Sequence, residues 1–414
     1  MLNISNPELS EKDRNQLQIL NELISGDKVS ASDIVAKIGI SAATISRVFR
    51  NLKEKELIKY LGKEKTEKGR SPELFSINDK YGYMVHYYMT ANDIHGYLID
   101  ITGHMEGKIH IGYNPRGTLE ELLEIIDRIK NELTSTNGQR TGKLLAAGFS
   151  VPGVVNQKSR MVHKIPDVYL LSDTRFFDYA ERVLGVPVIV NNVSWLATVG
   201  EKTSVYPFVE DLAYITITES TGIGMGIVIG NKLVKGGRNY AGEVGQTYFD
   251  SRRTFEDYLN GKGQLESEAS LQTLYHRIEE KIRGGGCRTL GKIMEEDENG
   301  LLSLEVLERA ALSGDEDVLE IMGQTLKAWA AILINIDLMI NPELIVIGGR
   351  ISTKNQYILE ALNDMFSRLG MFKPDIRLSI HGENAQLLGG IQALKEYSFN
   401  HIIAKEVIGQ ANRL

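Results

Sequence analysis

The chain has 414 residues, 42% hydrophobic and 24% charged, which places it among folded globular proteins of about two or three domains and excludes a disordered or collagen-like chain. A single cysteine, Cys287, excludes an intrachain disulfide and any zinc site built on several cysteines. The net charge of −7 is unevenly spread: residues 41–70 hold nine Lys/Arg against four Asp/Glu, whereas residues 81–414 hold 33 against 42, the profile of a small nucleic-acid reader on an acidic body.

The N-terminus is polar and carries no signal-peptide core, and the longest apolar stretch, 328–340, is interrupted by Asn335 and Asp337. A soluble cytosolic protein without a membrane segment is expected. Leu17, Leu20, Leu23 and Ile24 recur at helical spacing. Ser30 and Asp33 then form a capping box for a short helix with Ile34, Val35 and Ile38 on its inner face, broken at Gly39. Ser41 is placed to cap a third helix whose inner face is Ile45, Val48, Phe49 and Leu52. Helix, glycine turn, helix is the helix-turn-helix layout. Ser41, Ala43, Thr44, Ser46, Arg47 and Arg50 face outward, short polar and basic side chains suited to base edges and phosphates. Residues 59–72 read as a basic wing that brings Lys63, Lys65, Lys68 and Arg70 to the DNA backbone. Residues 1–80 are therefore expected to be a winged helix-turn-helix domain. A three-helix protein-docking module is the plainer alternative.

From residue 81 strand-like and helical runs alternate, which predicts a parallel α/β arrangement. The expected strands are 83–89, 94–99, 144–151, 186–191, 212–217, 224–229 and 344–347. The expected helices are 118–134, 172–184, 194–201, 267–282, 303–313, 315–340 and 356–367. Glycine-rich segments punctuate them: Val151-Pro152-Gly153, Thr221-Gly222-Ile223-Gly224, Ala241-Gly242-Glu243-Val244-Gly245, Asn341-Pro342-Glu343 with Gly348-Gly349, and Gly389-Gly390. Singly, each is an ordinary turn.

With the segment from Asn192 to Glu201 these make six segments that, after the wing ending Gly69-Arg70-Ser71-Pro72, stand in the order of one family. The chain resembles the ROK family of repressors and sugar kinases over nearly its whole length, and within it the transcriptional-regulator branch of xylose and N-acetylglucosamine repressors. The resemblance implies an actin-like, hexokinase-like domain over 81–414, with two lobes around a sugar cleft. One lobe would be about 81–200 plus 391–414 and the other about 201–390. It also implies a homodimer or a tetramer on a palindromic operator, with a saccharide as effector.

The departures from the family pattern bear on activity. Where the family's kinases have an Asn-Asp pair, the aspartate acting as general base, this chain has Asn192-Val193. Losing such a base costs about 10²–10⁴ in rate. At the end of the first strand, where kinases carry an Asp-Gly phosphate turn, Tyr88 stands without a following glycine. The family's zinc-binding histidine is replaced by Gln246 and its three clustered cysteines are missing, so no metal and no cofactor is expected. Cys287 reads as an incidental loop residue. The resemblance carries sugar contacts over to Asn192, Glu243, Gln246 and Glu256. Trp195 reads either as a core residue or as a platform under a sugar ring. The glycine segments that touch nucleotide in the kinases read here as architectural. A sugar-responsive repressor with an inactive kinase-like domain is expected. An ATP-dependent sugar kinase with a DNA-binding extension, or a regulator whose body binds a protein partner, remains open at this point.

Overall fold

The structure is a computed structural model that describes residues 2, 9–64, 71–135, 142–163, 170, 175–219, 222–248, 263–297, 300–367, 369–370 and 373–409. By its contacts the chain divides into two compact units. One gathers Met1–Phe149, Arg175–Val190 and Ile391–Leu414, the other Ser150–Thr174 and Asn191–Gly390. The first 80 residues do not stand apart: they share a unit with the first sheet of the body and with the C-terminal segment.

In the first unit α1 (Glu11–Ser25) starts at Ser10, whose side chain accepts the Asp13 N–H. The expected capping box opens α2 (Ala31–Ile38), which ends at Gly39 in the left-handed conformation, φ 70°. Ser41 caps α3 (Ala42–Glu54), with Ile45, Val48, Phe49 and Leu52 buried as their spacing predicts. Strand β1 (Val29–Ser30) and the hairpin of β2 (Ile58–Lys63) and β3 (Glu73–Ile77) form a three-stranded wing sheet of order β1-β3-β2. Phe49 meets Phe75 edge-on at 4.8 Å and locks helix to wing.

The body of this unit is a five-stranded sheet of order β10-β7-β4-β5-β6. It comprises β4 (Gly82–Met89), β5 (Asp93–Asp100), β6 (Met105–Gly112), β7 (Lys143–Val151) and β10 (Val188–Asn192). Strands β4, β5 and β6 pair antiparallel, which corrects the expectation of a parallel sheet. The turns at 90–92 and 101–104 are far too short for the crossover that parallel neighbours need. Strand β6 itself escaped the sequence reading, because its residues are mostly half-exposed and lack an apolar run. Helices α4 (Leu119–Ser135) and α5 (Phe176–Leu184) bury amphipathic faces in this unit.

The second unit holds the small hairpin of β8 (Val154–Asn156) and β9 (Met161–His163), helix α6 (Val193–Ser204) and a second five-stranded sheet, order β13-β12-β11-β14-β15. Its strands are β11 (Leu212–Ile217), β12 (Ile223–Ile229), β13 (Lys232–Leu233), β14 (Leu344–Gly349) and β15 (Ile376–Leu378). β11 runs antiparallel to β12 and parallel to β14, so this sheet too is mixed. The helix expected at 267–282 is broken into α7 (Gln264–Ala269) and α8 (Leu271–Arg283) by Ser270, which caps α8 through the Thr273 N–H. Helices α9 (Arg288–Glu296), α10 (Leu304–Leu312), α11 (Glu316–Ile340) and α12 (Gln356–Phe366) follow. They close a core that includes Ile215, Leu290, Leu307, Trp329 and Phe366. Among the described residues no helix is long and apolar enough to cross a membrane.

The chain then continues through α13 (Ala385–Tyr397), a π-helical turn (Ser398–Ile403) and α14 (Ala404–Ile408), none foreseen from sequence. Leu394, Phe399, Ile403 and Val407 from this segment join Leu17, Leu20, Leu52 and Phe75 of the winged helix, and Met84 and Leu145 of the first sheet, in one hydrophobic cluster. The core of the winged helix is thus continuous with that of the body. Glu406 of α14 marks the seam: its carboxylate accepts from Tyr81 and Lys143, and its backbone carbonyl accepts from Lys55, just past the end of α3.

Candidate functional site

Two surfaces collect the residues singled out in the sequence. The first is the outer face of α3. Ala43, Ser46, Arg47 and Arg50 are exposed along it, while Ser41 and Thr44 spend hydroxyls on each other at the helix start, Oγ to Oγ1 3.0 Å. The first turn of α3 holds no acidic residue, so its dipole is free to favour a phosphate. Lys63 is exposed at the end of β2. Lys65, Lys68 and Arg70 lie outside the described residues. Tyr60 and Leu61, missed in the sequence, are exposed on the same strand, where a bulge between Tyr60 and Gly62 breaks the alternation.

The second surface lies in the second unit, around the start of α6. Asn192 ends β10 and caps α6: its Oδ1 accepts from the N–H groups of Ser194 (2.8 Å) and Trp195 (3.1 Å). Its Nδ2 donates to the carbonyl of Gly153, 2.7 Å away, in the Val-Pro-Gly loop. The side-chain oxygen is therefore spent on architecture, and one N–H of the amide is left for a ligand. Val193 follows as the first residue of α6, 4% exposed and with no carboxylate to offer. Trp195 is a core residue: it is 4% exposed, its Nε1–H donates to the Ala241 carbonyl, and Lys235 covers its ring at 5.4 Å. Tyr88 sits half-buried in β4 of the first unit, stacked on His95 at 5.7 Å.

The glycines of 222–226 prove structural in part. A Cβ on Gly226 would stand 1.9 Å from Thr198 Oγ1, and one on Gly224 would stand 2.3 Å from Ser194 Oγ, so α6 can lie directly on β12 only with glycine there. Thr221 lies outside the described residues. Half-buried Glu243 leads into a single 3₁₀ turn, Val244–Gln246. Gln246 Nε2 donates to Glu266 Oε2 at 3.3 Å. Glu266, on α7, was not singled out in the sequence. Its carboxylate also takes the space beside Gly222, where a Cβ would meet Oε1 at 2.1 Å. Glu256 lies outside the described residues. Without cysteines to mark the register of 249–266, the sequence gives no local signal that Glu266 is the carboxylate brought to Gln246.

Cys287 is no loop bystander. It is 1% exposed, adopts φ 52° and leads into α9. Its sulfur and the carboxylates of Asp315 and Asp317 converge within 4.8 Å. Those carboxylates are already committed: Asp315 accepts from the N–H groups of Thr289, Leu290 and Val318, and Asp317 from that of Cys287 and from Lys281. Burial, together with the charges of Asp315 and Asp317, pushes the thiol up to about 11, so it stays protonated at neutral pH. The grouping works as a helix cap.

Residues 89–396 match the family model of the ROK family, and residues 13–68 that of the MarR family. The xylose repressor of Staphylococcus xylosus is 24% identical over 394 residues, which cover 93% of this chain and 95% of that one. The crystal structure of a ROK family transcriptional regulator, a homolog of the E. coli MLC protein, superimposes with a TM-score of 0.74 at 21% identity, covering 96% of this chain and 99% of that one. A ROK family glucokinase from Streptomyces griseus, in complex with glucose and AMPPNP, superimposes with a TM-score of 0.60 at 21% identity, covering 75% and 99%.

Proposed function

The chain belongs to the ROK family, and from that premise we propose that it is a sugar-responsive transcriptional repressor whose kinase-like domain binds a saccharide without phosphorylating it. The observation that carries this reading is the fusion, through one continuous hydrophobic cluster, of a winged helix with an exposed basic face to a ROK domain in which buried Val193 follows Asn192. A valine accepts no proton from a sugar hydroxyl, so the step that a kinase needs has no base at that position.

On this reading Arg47 and Ala43 address base edges from the first two turns of α3, and Arg50 and Lys63 hold phosphates. Asn192 Nδ2, Glu243, Gln246 and Glu256 address sugar hydroxyls, joined by Glu266, which Gln246 holds beside them. The effector works by linkage: a sugar that prefers one conformation of the chain shifts operator affinity by its differential binding energy, typically about 1–3 kcal/mol. The protein works in the cytoplasm as a homodimer on a palindromic site, as two-fold symmetric readers do.

The test is a gel shift on the promoter of the protein's own gene with a panel of sugars, xylose included because of the repressors the chain resembles. One sugar is expected to weaken binding about 5- to 150-fold. An operator affinity unmoved by every sugar, or sugar-dependent ADP production that Asn192→Ala abolishes, overturns the proposal.

A further inference from the structure

Within the first unit, where the winged helix meets the body, lies a cavity of about 380 Å³, large enough for a small metabolite. Its walls come from the turn after α1, the base of the wing, the β5–β6 turn and the end of α13. Most of the charged groups on these walls are already committed. Lys59 is paired with Asp79. Asp100 Oδ1 accepts from the N–H groups of Thr102, Gly103 and His104 and from the Thr102 hydroxyl. Asp27 stands exposed at the rim.

Lys395 is the exception. It is half-buried, lines the cavity and has no hydrogen bond or ion pair among the described residues. Its course is fixed by Gly103: a Cβ there would stand 2.7 Å from Lys395 Cδ and 3.3 Å from Nζ. The side chain therefore runs over Gly103 at a cavity that His104 also lines, with no hydrogen bond or ion pair among the described residues and the charge of Asp100 nearby. Burial pushes its amine below the usual lysine value, against the pull of Asp100. An ammonium that has lost part of its water without gaining an ion pair destabilises the fold, and a ligand anion would offset that loss.

We propose that this cavity is a second ligand site that takes a phosphate group, free or as the monoester of a small polyol, on Lys395 and His104. The three ammonium N–H donors suit a phosphate. Ser76 and Asp27, which also line the cavity, offer a hydroxyl and a carboxylate to a polyol. A molecule seated there touches reader and body at once, so its occupancy bears directly on how the reader is held. The site is separate from the Asn192–Glu266 surface, and its existence does not depend on the sugar reading.

The test is thermal unfolding of the full chain at constant ionic strength, with inorganic phosphate in one arm and glycerol 3-phosphate in the other, against chloride and sulfate. Lys395→Met keeps the apolar stem that packs beside Gly103, and Lys395→Gln guards against a folding defect in the first variant. Without phosphate, Lys395→Met is expected to unfold at or above the wild-type temperature, since a desolvated charge is removed. Phosphate or its ester is expected to raise the wild-type Tm by several degrees and to leave both variants within one degree. A response to the ester alone assigns the site to a monoester, and a response to both assigns it to phosphate itself. No response in either arm, an equal response to sulfate and chloride, or an undiminished response in both variants overturns the proposal.

Discussion

Arg47 and Arg50 stand three residues apart on the exposed face of α3, and the proposed docking gives them different work. If Arg47 reads a base as proposed, Arg47→Ala is expected to weaken operator binding by about 1–3 kcal/mol while relaxing preference at one base pair. Arg50→Ala is expected to weaken all sequences alike and to flatten the salt dependence of binding, which a titration from low to high salt would show. In the second unit, Glu266→Gln is expected to reduce sugar affinity at least tenfold in calorimetry with little loss of fold, and an unchanged affinity would remove Glu266 from the site. Val193→Asp is expected to lower the Tm by several degrees and to produce no kinase activity, because a carboxylate would then replace a 4% exposed side chain. Residues whose neighbours are close in sequence were readable beforehand: the Ser30–Asp33 box, the Ser41 cap and the Asn192–Val193 departure each sit within a few positions. Trp195 and Glu266 were not, since one is settled by a carbonyl at Ala241 and the other by an amide at Gln246, 46 and 20 residues away.

Elements with a strong period of their own were legible in the same way, and those that depend on neighbours were not. The spacing of Ile45, Val48, Phe49 and Leu52 predicts α3 within a residue or two. Strand β6 pairs only because β5 offers it an edge, and the half-exposed burial along it hides it from a search for apolar runs. The same dependence makes α6 on β12 a sharp test. Gly226→Ala would place a methyl group 1.9 Å from Thr198 Oγ1. It is expected to cost about 1–3 kcal/mol by overpacking, read as a fall in Tm, and Thr198→Ser should not rescue it since the hydroxyl remains.

On the scale of the molecule, the winged helix and the body are joined at a seam that is polar as well as hydrophobic. Burial acts to raise the Glu406 carboxyl, but the hydrogen bonds from Lys143 and Tyr81 and the charges of Lys143 and Lys55 outweigh it and hold it below the usual value. A folded-state value that is depressed stabilises the fold above the unfolded pKa of about 4.3 and loses that contribution as pH falls through the folded value. The Tm gap between wild type and Glu406→Gln is therefore expected to be small at pH 7, because water screens a partly exposed pair, and to close below about pH 4. A fragment of residues 1–80 is expected to show little cooperative unfolding by circular dichroism, since Leu394, Phe399 and Ile403 are missing from its core. The same shared core sets an order of events during synthesis. Ile77, at the end of the wing, leaves the ribosome more than three hundred residues before Leu394. At about 5–20 residues per second, that is an interval of about 15–60 seconds in which the reader exists without its seat. An interrupted translation product therefore carries the whole recognition helix without the segment that completes its core, and is expected to bind operator more weakly than the full chain.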